Sequence, residues 1–215
     1  MSTATGTIAG VNGNLISVAF EDAVIQNEVA YALLDDIRLK AEVDIYGGFA
    51  GTETARSQRD PQVHVTIFSG DIDGNDSQSP VITDASTVTG NTTNSYHVMA
   101  GAPTNATLDG VTVTAGYGYY GCPYGWNSQF GAGLYTQGPM TLNNVVFSGN
   151  RNFYGGGIRT TAPLTITNSA FVGNYATSTG GGISNGGVNT TLINVTFTNN
   201  FADYGGGGAA NNTTY

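Results

Sequence analysis

The C-terminal half of the chain alternates apolar and polar side chains in short runs that recur at a nearly constant interval. The run Phe-x-x-Asn occurs three times, and each copy is followed by a cluster of glycines. Its phenylalanines, Phe147, Phe171 and Phe197, are separated by steps of 24 and 26 residues. A period in the twenties with β-forming residues and glycine is typical of a solenoid, in which each turn of chain stacks on the previous one.

Alignment of the three copies predicts which side chains lie inside the solenoid. Polar threonines and asparagines fall between the apolar positions, as the period of two in a β-strand requires. Neighbouring strands lie about 4.8 Å apart, so each apolar column is predicted to form a ladder of like side chains. One column contains the three phenylalanines, and another contains Leu142, Ile166 and Leu192.

The asparagines that close the repeat predict a second kind of ladder, at a corner of the coil. Each amide is expected to bond the amide or backbone of the next coil, and the glycines to provide sharp bends. Its members are Asn150, Asn174 and Asn200. The predicted fold class is therefore all-β, a right-handed parallel β-helix with a short N-terminal antiparallel β segment. At about 25 residues per coil, residues 44–215 would form about seven coils.

The first 43 residues follow a different pattern. Asn12-Gly13 lies between two β-rich runs, which is a strong hairpin signal. Two more candidate strands, 29–34 and 37–43, meet at Asp35-Asp36. Residues 1–43 are predicted to form an antiparallel hairpin or meander that can cap the first coil. The β-helix is predicted over residues 44–215, with an aromatic insertion near 117–130.

Three runs in the first segment, residues 5–14, 26–31 and 38–43, resemble the N-terminal β-barrel of the catalytic A subunit of V/A-type ATP synthases. The resemblance covers about a fifth of the chain. It implies no ATPase chemistry, because a phosphate-binding P-loop ends in Gly-Lys-Ser/Thr and Lys40 is the only lysine. A structural role, such as a cap, or a fused segment is the expectation.

A second resemblance covers residues 44–215. Residues 44–59 and 66–76 resemble the opening coils of bacterial right-handed parallel β-helix proteins. The Phe-x-x-Asn and Gly-Gly-x-Ile elements resemble the repeats of polymorphic outer-membrane proteins and autotransporter passengers. This resemblance implies an extracellular or cell-surface location, although residues 1–20 show no signal peptide.

Charge and composition restrict the function. The net charge of −9 argues against a nucleic-acid partner, and the absence of a long apolar run predicts no membrane span. Only 10% of residues are charged, so the regular coils offer no cluster for catalysis and the chain is predicted not to be an enzyme. A polysaccharide lyase or hydrolase that uses acidic residues of the first hundred positions is the alternative.

The insertion near 117–130 contains the candidate binding residues. Exposed aromatic rings beside amides suit stacking on sugars or contact with proteins. The alternative is a loop that folds back to cover the flank of the helix. The candidates are Tyr119, Tyr120, Tyr124 and Trp126.

A candidate metal site follows the strand-like run near residue 68. Oxygen-bearing side chains stand there at alternate positions, as they do in calcium loops, although the EF-hand pattern is not met. The alternative is a series of Asx-turns. The prediction is therefore no cofactor, with calcium as the alternative, bound by Asp71, Asp73, Asn75 and Asp76.

These observations predict a non-enzymatic surface protein, a structural or adhesive β-helix module. Its expected partners are other copies of the chain, or surface or host glycans and proteins. The sequence stops at Tyr215 part-way through a coil, which is expected of a fragment or of a helix whose open end pairs with another copy. A carbohydrate-binding or polysaccharide-degrading β-helix is the alternative.

Overall fold

The computed structural model describes residues 6–12, 15–20, 30–31, 37–121 and 126–211. Within these ranges the chain forms twenty-two β-strands and three short 3₁₀ helices, Arg56–Gln58, Asn91–Thr93 and Trp126–Gln129. No helix in the described ranges has the length and apolar character needed to cross a bilayer. The structure is therefore nearly all β, as the sequence predicts.

The first two strands form the antiparallel hairpin expected around Asn12-Gly13. Strand β1 is Gly6–Asn12 and strand β2 is Leu15–Phe20. They pair in antiparallel register from Gly6 with Phe20 to Asn12 with Leu15, with an irregularity between Ile8 and Gly10.

All other strands belong to four parallel sheets. Sheet I contains β4 Ile37–Leu39, β7 Met99–Gly101, β10 Leu134–Thr136, β14 Ile158–Thr160, β18 Ile183–Asn185 and β22 Ala209–Asn211. Sheet II contains β5 Ile45–Tyr46, β8 Ala106–Asp109, β11 Met140–Asn143, β15 Leu164–Thr167 and β19 Thr190–Ile193. Sheet III contains β3 Ala30–Tyr31, β6 Thr66–Ser69, β9 Val111–Thr114, β12 Val146–Ser148, β16 Ala170–Val172 and β20 Thr196–Thr198. Sheet IV contains β13 Arg151–Tyr154, β17 Tyr175–Thr179 and β21 Phe201–Ala202.

The chain visits sheets I, II and III in turn, and from the third coil onward it adds sheet IV. The described residues thus complete five coils, β4–β6, β7–β9, β10–β13, β14–β17 and β18–β21, and β22 begins another. The prediction of about seven coils is wrong. Two loops, 47–65 and 71–98, extend outside the coils and add residues without adding turns. Five coils at roughly 4.8 Å each give a rod of about 24 Å.

The predicted boundary at residue 44 also differs from the structure. Strand β3 pairs in parallel with β6, and β4 pairs in parallel with β7, so both belong to the β-helix and not to an antiparallel meander. Strands β3 and β4 are only two and three residues long, and each pairs with a strand that follows a full coil later in the sequence. The predicted turn at Asp35-Asp36 lies outside the described residues.

The core is a set of ladders inside the coils. In β11, Met140 and Leu142 are buried while Thr141 between them is exposed, and β15 repeats this pattern one coil later. Leu108, Leu142 and Ile166 pair in register and are fully buried. Alternation along each strand and repetition between coils therefore produce one continuous apolar interior.

Glycine is required where a ring of the core meets the backbone of a bend. A Cβ at Gly157 would lie 3.0 Å from a ring carbon of Phe171 and 2.6 Å from the carbonyl oxygen of Gly182 in the next coil. Gly133 and Gly182 have the same relation to Phe147 and Phe197. The glycine clusters of the repeat thus let the phenylalanine column pack directly against the chain.

Residues 71–98 form a segment, here called the strap, that crosses the corner between sheets III and IV. Its Ile82 is 1% exposed and bonds two coils at once. The Ile82 N–H donates to the Thr114 hydroxyl (3.1 Å), and the Ser148 hydroxyl donates to the Ile82 carbonyl oxygen (2.7 Å). In the next coil the Gly173 carbonyl oxygen accepts from the Ala85 N–H (2.9 Å). The strap therefore braces coils two, three and four.

Candidate functional site

The phenylalanine ladder is continuous through the last three coils. The rings of Phe147 and Phe171 stack with centroids 5.2 Å apart and planes inclined by 8°. Phe171 and Phe197 stack at 5.0 Å and 11°. In the second coil Val113 takes the ring's place, paired with Phe147. The first two rings have no exposed surface, whereas Phe197 is only partly buried.

The asparagine ladder runs beside it, with one amide per coil. The Asn150 Nδ2 donates to the Asn174 Oδ1 (3.0 Å), and the Asn174 Nδ2 donates to the Asn200 Oδ1 (2.9 Å). The backbone N–H of each donor residue reaches the same oxygen, at 3.0 and 3.1 Å. Each Nδ2 also donates to a carbonyl of the preceding coil, at Val113 for Asn150 and Phe147 for Asn174. Buried amides with these bonds fix the register of successive coils.

A second asparagine column, which the sequence analysis did not identify, turns the chain from sheet II into sheet III. Asn144, Asn168 and Asn194 have positive φ angles of 52°, 51° and 53°, and Gly110 stands at the same corner with φ 75°. Asparagine tolerates this left-handed conformation better than other residues with a Cβ. The signal was present, because these asparagines recur with the period of the phenylalanines.

The fifth coil leaves its apolar residues open. Leu192 is 42% exposed, although its counterparts Leu142 and Ile166 have no exposed surface. Ile193 and Phe201 in the same coil are 52% and 55% exposed. An open cavity of about 250 Å³ lies there, and it is lined by Ile183, Asn185, Thr190, Leu192, Ala209, Ala210 and Asn211. We call these exposed strands, β19–β22, the open edge.

The insertion and sheet IV together build a surface of stacked rings and guanidinium groups, which we call the aromatic flank. Its rings contact one another in pairs at centroid distances between 4.6 and 6.4 Å. The members are Tyr117, Tyr119, Tyr120, Phe130, Phe153, Tyr154, Tyr175 and Phe201, with Arg151 and Arg159.

The insertion joins the flank by pairing with β13. Tyr117 bridges to Arg151 and Phe130 bridges to Tyr154, both in parallel. The insertion thus occupies, in the second coil, the place that sheet IV has in later coils. Burial is the main reason why the pKa of the Tyr175 hydroxyl is raised. The second reason is the hydrogen bond that this hydroxyl donates to Asp203 (2.8 Å).

The predicted binding residues have different outcomes. Tyr119 is 41% exposed and Tyr120 is 63% exposed, and Tyr120 packs on Phe153 with centroids 4.9 Å apart. Tyr124 lies outside the described residues. Trp126 begins a 3₁₀ helix, but its side chain is also outside the described part of the structure. Arg151 and Arg159, which the sequence analysis did not propose for binding, stand at the centre of the flank.

The predicted calcium ligands lie together, but most of their oxygens bind groups of the protein. Asp71 is 4% exposed and accepts from the backbone N–H groups of Asn75 (3.2 Å) and Asp76 (3.4 Å). Asp73 accepts from the Asn75 amide and the Thr93 hydroxyl, each at 2.7 Å. No group of three or more His, Cys, Asp or Glu in the described ranges is arranged to hold a metal ion. These contacts hold the loop together through its own side chains, and calcium binding stays a prediction.

Asp76 stands apart from the others in this cluster. It is 8% exposed, and its Oδ2 accepts from the Asn94 Nδ2 (2.8 Å). The Asp76 Oδ1 and the Asn94 Oδ1 have no hydrogen-bond partner among the described residues. Burial raises the pKa of the Asp76 carboxyl to about 6. The hydrogen bond from Asn94 lowers this pKa, and the negative charges of Asp71 and Asp73 raise it further.

Asp76→Asn is therefore expected to stabilise the protein at neutral pH. A carboxyl whose pKa is raised by folding adds stability below the pKa of the unfolded chain, and this stability is lost as pH rises through about 6. The neutral amide keeps an acceptor for Asn94 and avoids a buried charge, so we expect a gain of about 1–2 kcal/mol at about pH 7.5. Urea titration of both proteins measures it.

The pH dependence provides the control for this substitution. At about pH 4 the wild-type carboxyl carries a proton, so the gain is expected to shrink toward zero. Acidic residues that do not interact with Asp76 contribute equally in both proteins and cancel in the difference. A difference between the two proteins that stays constant from acid to neutral pH would refute the raised pKa.

The structure also shows an ion pair that the sequence did not suggest. The Arg59 Nη2 lies 2.6 Å from the Asp109 Oδ2, with both side chains largely buried. Amides of Asn143 and Asn144 donate to the same carboxylate at 3.1 and 3.2 Å. The ion pair ties the loop 47–65 to sheet II, and it engages one of the two aspartates of the C-terminal half.

Comparison with known proteins finds similarity in a short part of the chain. The chain is 46% identical over 43 residues to the V-type ATP synthase alpha chain 1 of Treponema pallidum. It is also 46% identical over 43 residues to the V-type ATP synthase alpha chain of Treponema denticola. The match covers 20% of this chain and 7% of each relative. No family model matches the chain, and no solved structure matches it.

Proposed function

We propose that the protein is a non-enzymatic structural or adhesive β-helix module that associates end to end through its open edge. The observation that carries this proposal is the exposure of Leu192, which is 42% exposed, whereas its counterparts Leu142 and Ile166 are covered by the next coil and have no exposed surface. An extracellular or cell-surface location is part of the proposal, and it rests on the resemblance of the repeats to passenger proteins.

The chemistry of the open edge suits another β-coil. A terminal strand of a parallel sheet presents unpaired N–H and C=O groups in a row, which another strand can pair. Four edge strands, β19–β22, lie there side by side, and a cavity with apolar and polar lining lies between β18, β19 and β22. A partner coil would therefore gain hydrogen bonds and buried apolar area together.

The properties of the rod support a second copy of the chain as the partner. Another copy supplies coils of the same width and the same ladder spacing. Residues 101–215 contain Arg151, Arg159, Asp109 and Asp203 as their charged residues, so their net charge is zero. Little electrostatic repulsion therefore opposes contact between two such surfaces.

Leu192→Lys is expected to abolish association. Wild-type protein should show a weight-average mass in light scattering that rises with concentration over a wide dilution series. A charge placed in the apolar cavity would have to lose its hydration when a partner coil covers it, which costs several kcal/mol. The variant is expected to stay monomeric at every concentration.

Thr191→Lys is the matched control, since it adds the same charge one residue away on the exposed outer face of β19. It should associate like the wild type. A wild-type protein that remains monomeric throughout the series, or two lysine variants that behave alike, would rule out the open edge as the contact.

A carbohydrate-binding or polysaccharide-degrading β-helix is the second candidate. The aromatic flank favours binding, because exposed tyrosine rings beside guanidinium groups suit sugars.

A further inference from the structure

We propose that the aromatic flank binds an acidic polysaccharide, with Arg151 and Arg159 bonding its carboxylates. This inference deepens the second candidate function and does not depend on end-to-end association. The flank lies on the side of the rod, along sheet IV and the insertion, whereas the open edge lies across its fifth coil. Two guanidinium groups without a carboxylate partner carry the argument.

Arg151 is held between two rings. Its Cζ lies 5.5 Å from the centroid of Tyr117 and 4.6 Å from that of Tyr175, on the coils before and after its own. Its side chain has no hydrogen bond or ion pair with the described residues. Rings on both sides leave the edge of the planar guanidinium, with its N–H donors, as the part that can bond a ligand.

Arg159, on the adjacent strand β14 of sheet I, lies beside a stacked pair of rings, Phe130 and Tyr154, whose centroids are 5.7 Å apart. Its Cζ lies 5.6 Å from the centroid of Phe130 and 5.7 Å from that of Tyr154. One of its nitrogens donates to the Ser184 hydroxyl (2.8 Å), and no carboxylate lies within ion-pair distance among the described residues. Burial lowers the pKa of the guanidinium. A half-buried cation without a counter-ion is costly, and a bound anion removes that cost.

The charges of this half of the chain favour an anionic partner. Asp109 is paired with Arg59, whereas Asp203 accepts from the Tyr175 hydroxyl and keeps its negative charge. Outside that ion pair, Arg151, Arg159 and Asp203 leave residues 101–215 with a net positive charge. Because an arginine fork bonds a carboxylate with two parallel hydrogen bonds, a carboxylate is the anion that fits best.

The surface favours a sugar polymer over an acidic peptide. An extended peptide usually binds by adding a strand to a free sheet edge. Here β17 pairs on both sides, with β13 and β21, so the middle of the flank has no free edge. Tyr119 and Tyr120 instead offer exposed rings with hydroxyl groups. Such rings pack on the C–H faces of sugars while their hydroxyls bond sugar hydroxyls.

The test measures binding of oligogalacturonate to the full chain by titration calorimetry at low salt. Three variants are compared with the wild type: the double variant Arg151→Gln with Arg159→Gln, the single variant Arg151→Lys, and the control Arg56→Gln. Arg56 also lies over a ring, 4.4 Å from the centroid of Tyr46, but outside the flank. Circular dichroism and urea midpoints establish that each variant is folded.

The expected results are binding by the wild type and by Arg56→Gln, and affinity reduced at least about tenfold in the double variant. Arg151→Lys should bind more weakly than the wild type, because lysine keeps the charge but loses the fork. Neutral oligogalactose and poly-glutamate should bind far more weakly than oligogalacturonate. Absence of oligogalacturonate binding, equal binding by the double variant, or equal binding of poly-glutamate would overturn the proposal. None of these outcomes depends on the light-scattering result.

Discussion

Phe171→Ala is expected to lower the free energy of unfolding by about 4 kcal/mol. The ring has no exposed surface and lies between the rings of Phe147 and Phe197, at centroid distances of 5.2 and 5.0 Å. It also packs against Gly157, where no side chain can move in to fill the space. Removal of the ring leaves a cavity in the middle of a ladder whose neighbours are fixed by paired strands. Urea titration of wild type and variant measures the loss.

Phe201→Ala is the matched control for this prediction. Phe201 belongs to the same repeat and stacks on Tyr175 with centroids 5.5 Å apart, but it lies outside the coil and is 55% exposed. Its removal is expected to cost about 1 kcal/mol or less. Equal losses for the two variants would contradict the placement of Phe171 in the core and Phe201 at the surface.

Asn174→Ala is expected to destabilise the protein by about 3–5 kcal/mol, a large effect for a polar residue. The Asn174 Oδ1 accepts from both the backbone and side chain of Asn150, and its Nδ2 donates to Asn200 and to the Phe147 carbonyl. Alanine removes the acceptor of the buried Asn150 backbone N–H and the side-chain donor to the buried Phe147 carbonyl, while the Asn150 amide keeps its bond to Val113. The cost of such unsatisfied groups, not the mean strength of a hydrogen bond, determines the size of the effect.

Asn189→Ala, at an exposed asparagine of the connection before β19, controls for the substitution itself. Its effect is expected to lie within about 0.5 kcal/mol of zero. Measurement at low protein concentration keeps association from contributing. If Asn174→Ala loses less than about 1 kcal/mol, the amide ladder does not stabilise the coils as described.

The repeat predicted the interior of the β-helix because like residues recur there with a fixed period. Phe147, Phe171 and Phe197 could be aligned from the sequence, and the structure stacks them. Periodicity did not reveal how many coils precede the repeat. The loops 47–65 and 71–98 contain β-forming residues, such as the exposed Val63, Val65 and Ile72, that resemble strand residues. A β-rich run forms a strand only where a neighbouring coil can pair with it.

The candidate sites were less predictable for a similar reason. The insertion near 117–130 was identified from its aromatic residues, but its register against β13 depends on the bridges of Tyr117 and Phe130. That register places Arg151 between rings of different coils and Arg159 beside a stacked pair of rings. The pair Arg59 and Asp109 joins a loop without repeats to a regular coil, fifty residues away, and no periodic signal predicts it.

Hydrogen exchange at two protein concentrations tests most directly whether the open edge binds another copy. Amides of β19, β20, β21 and β22 are expected to exchange more slowly in concentrated than in dilute protein, because a partner coil pairs with them. Amides of β14–β16, already paired on both sides, should exchange equally at both concentrations. Unchanged exchange at the open edge, or slowing confined to other parts of the chain, would contradict end-to-end association.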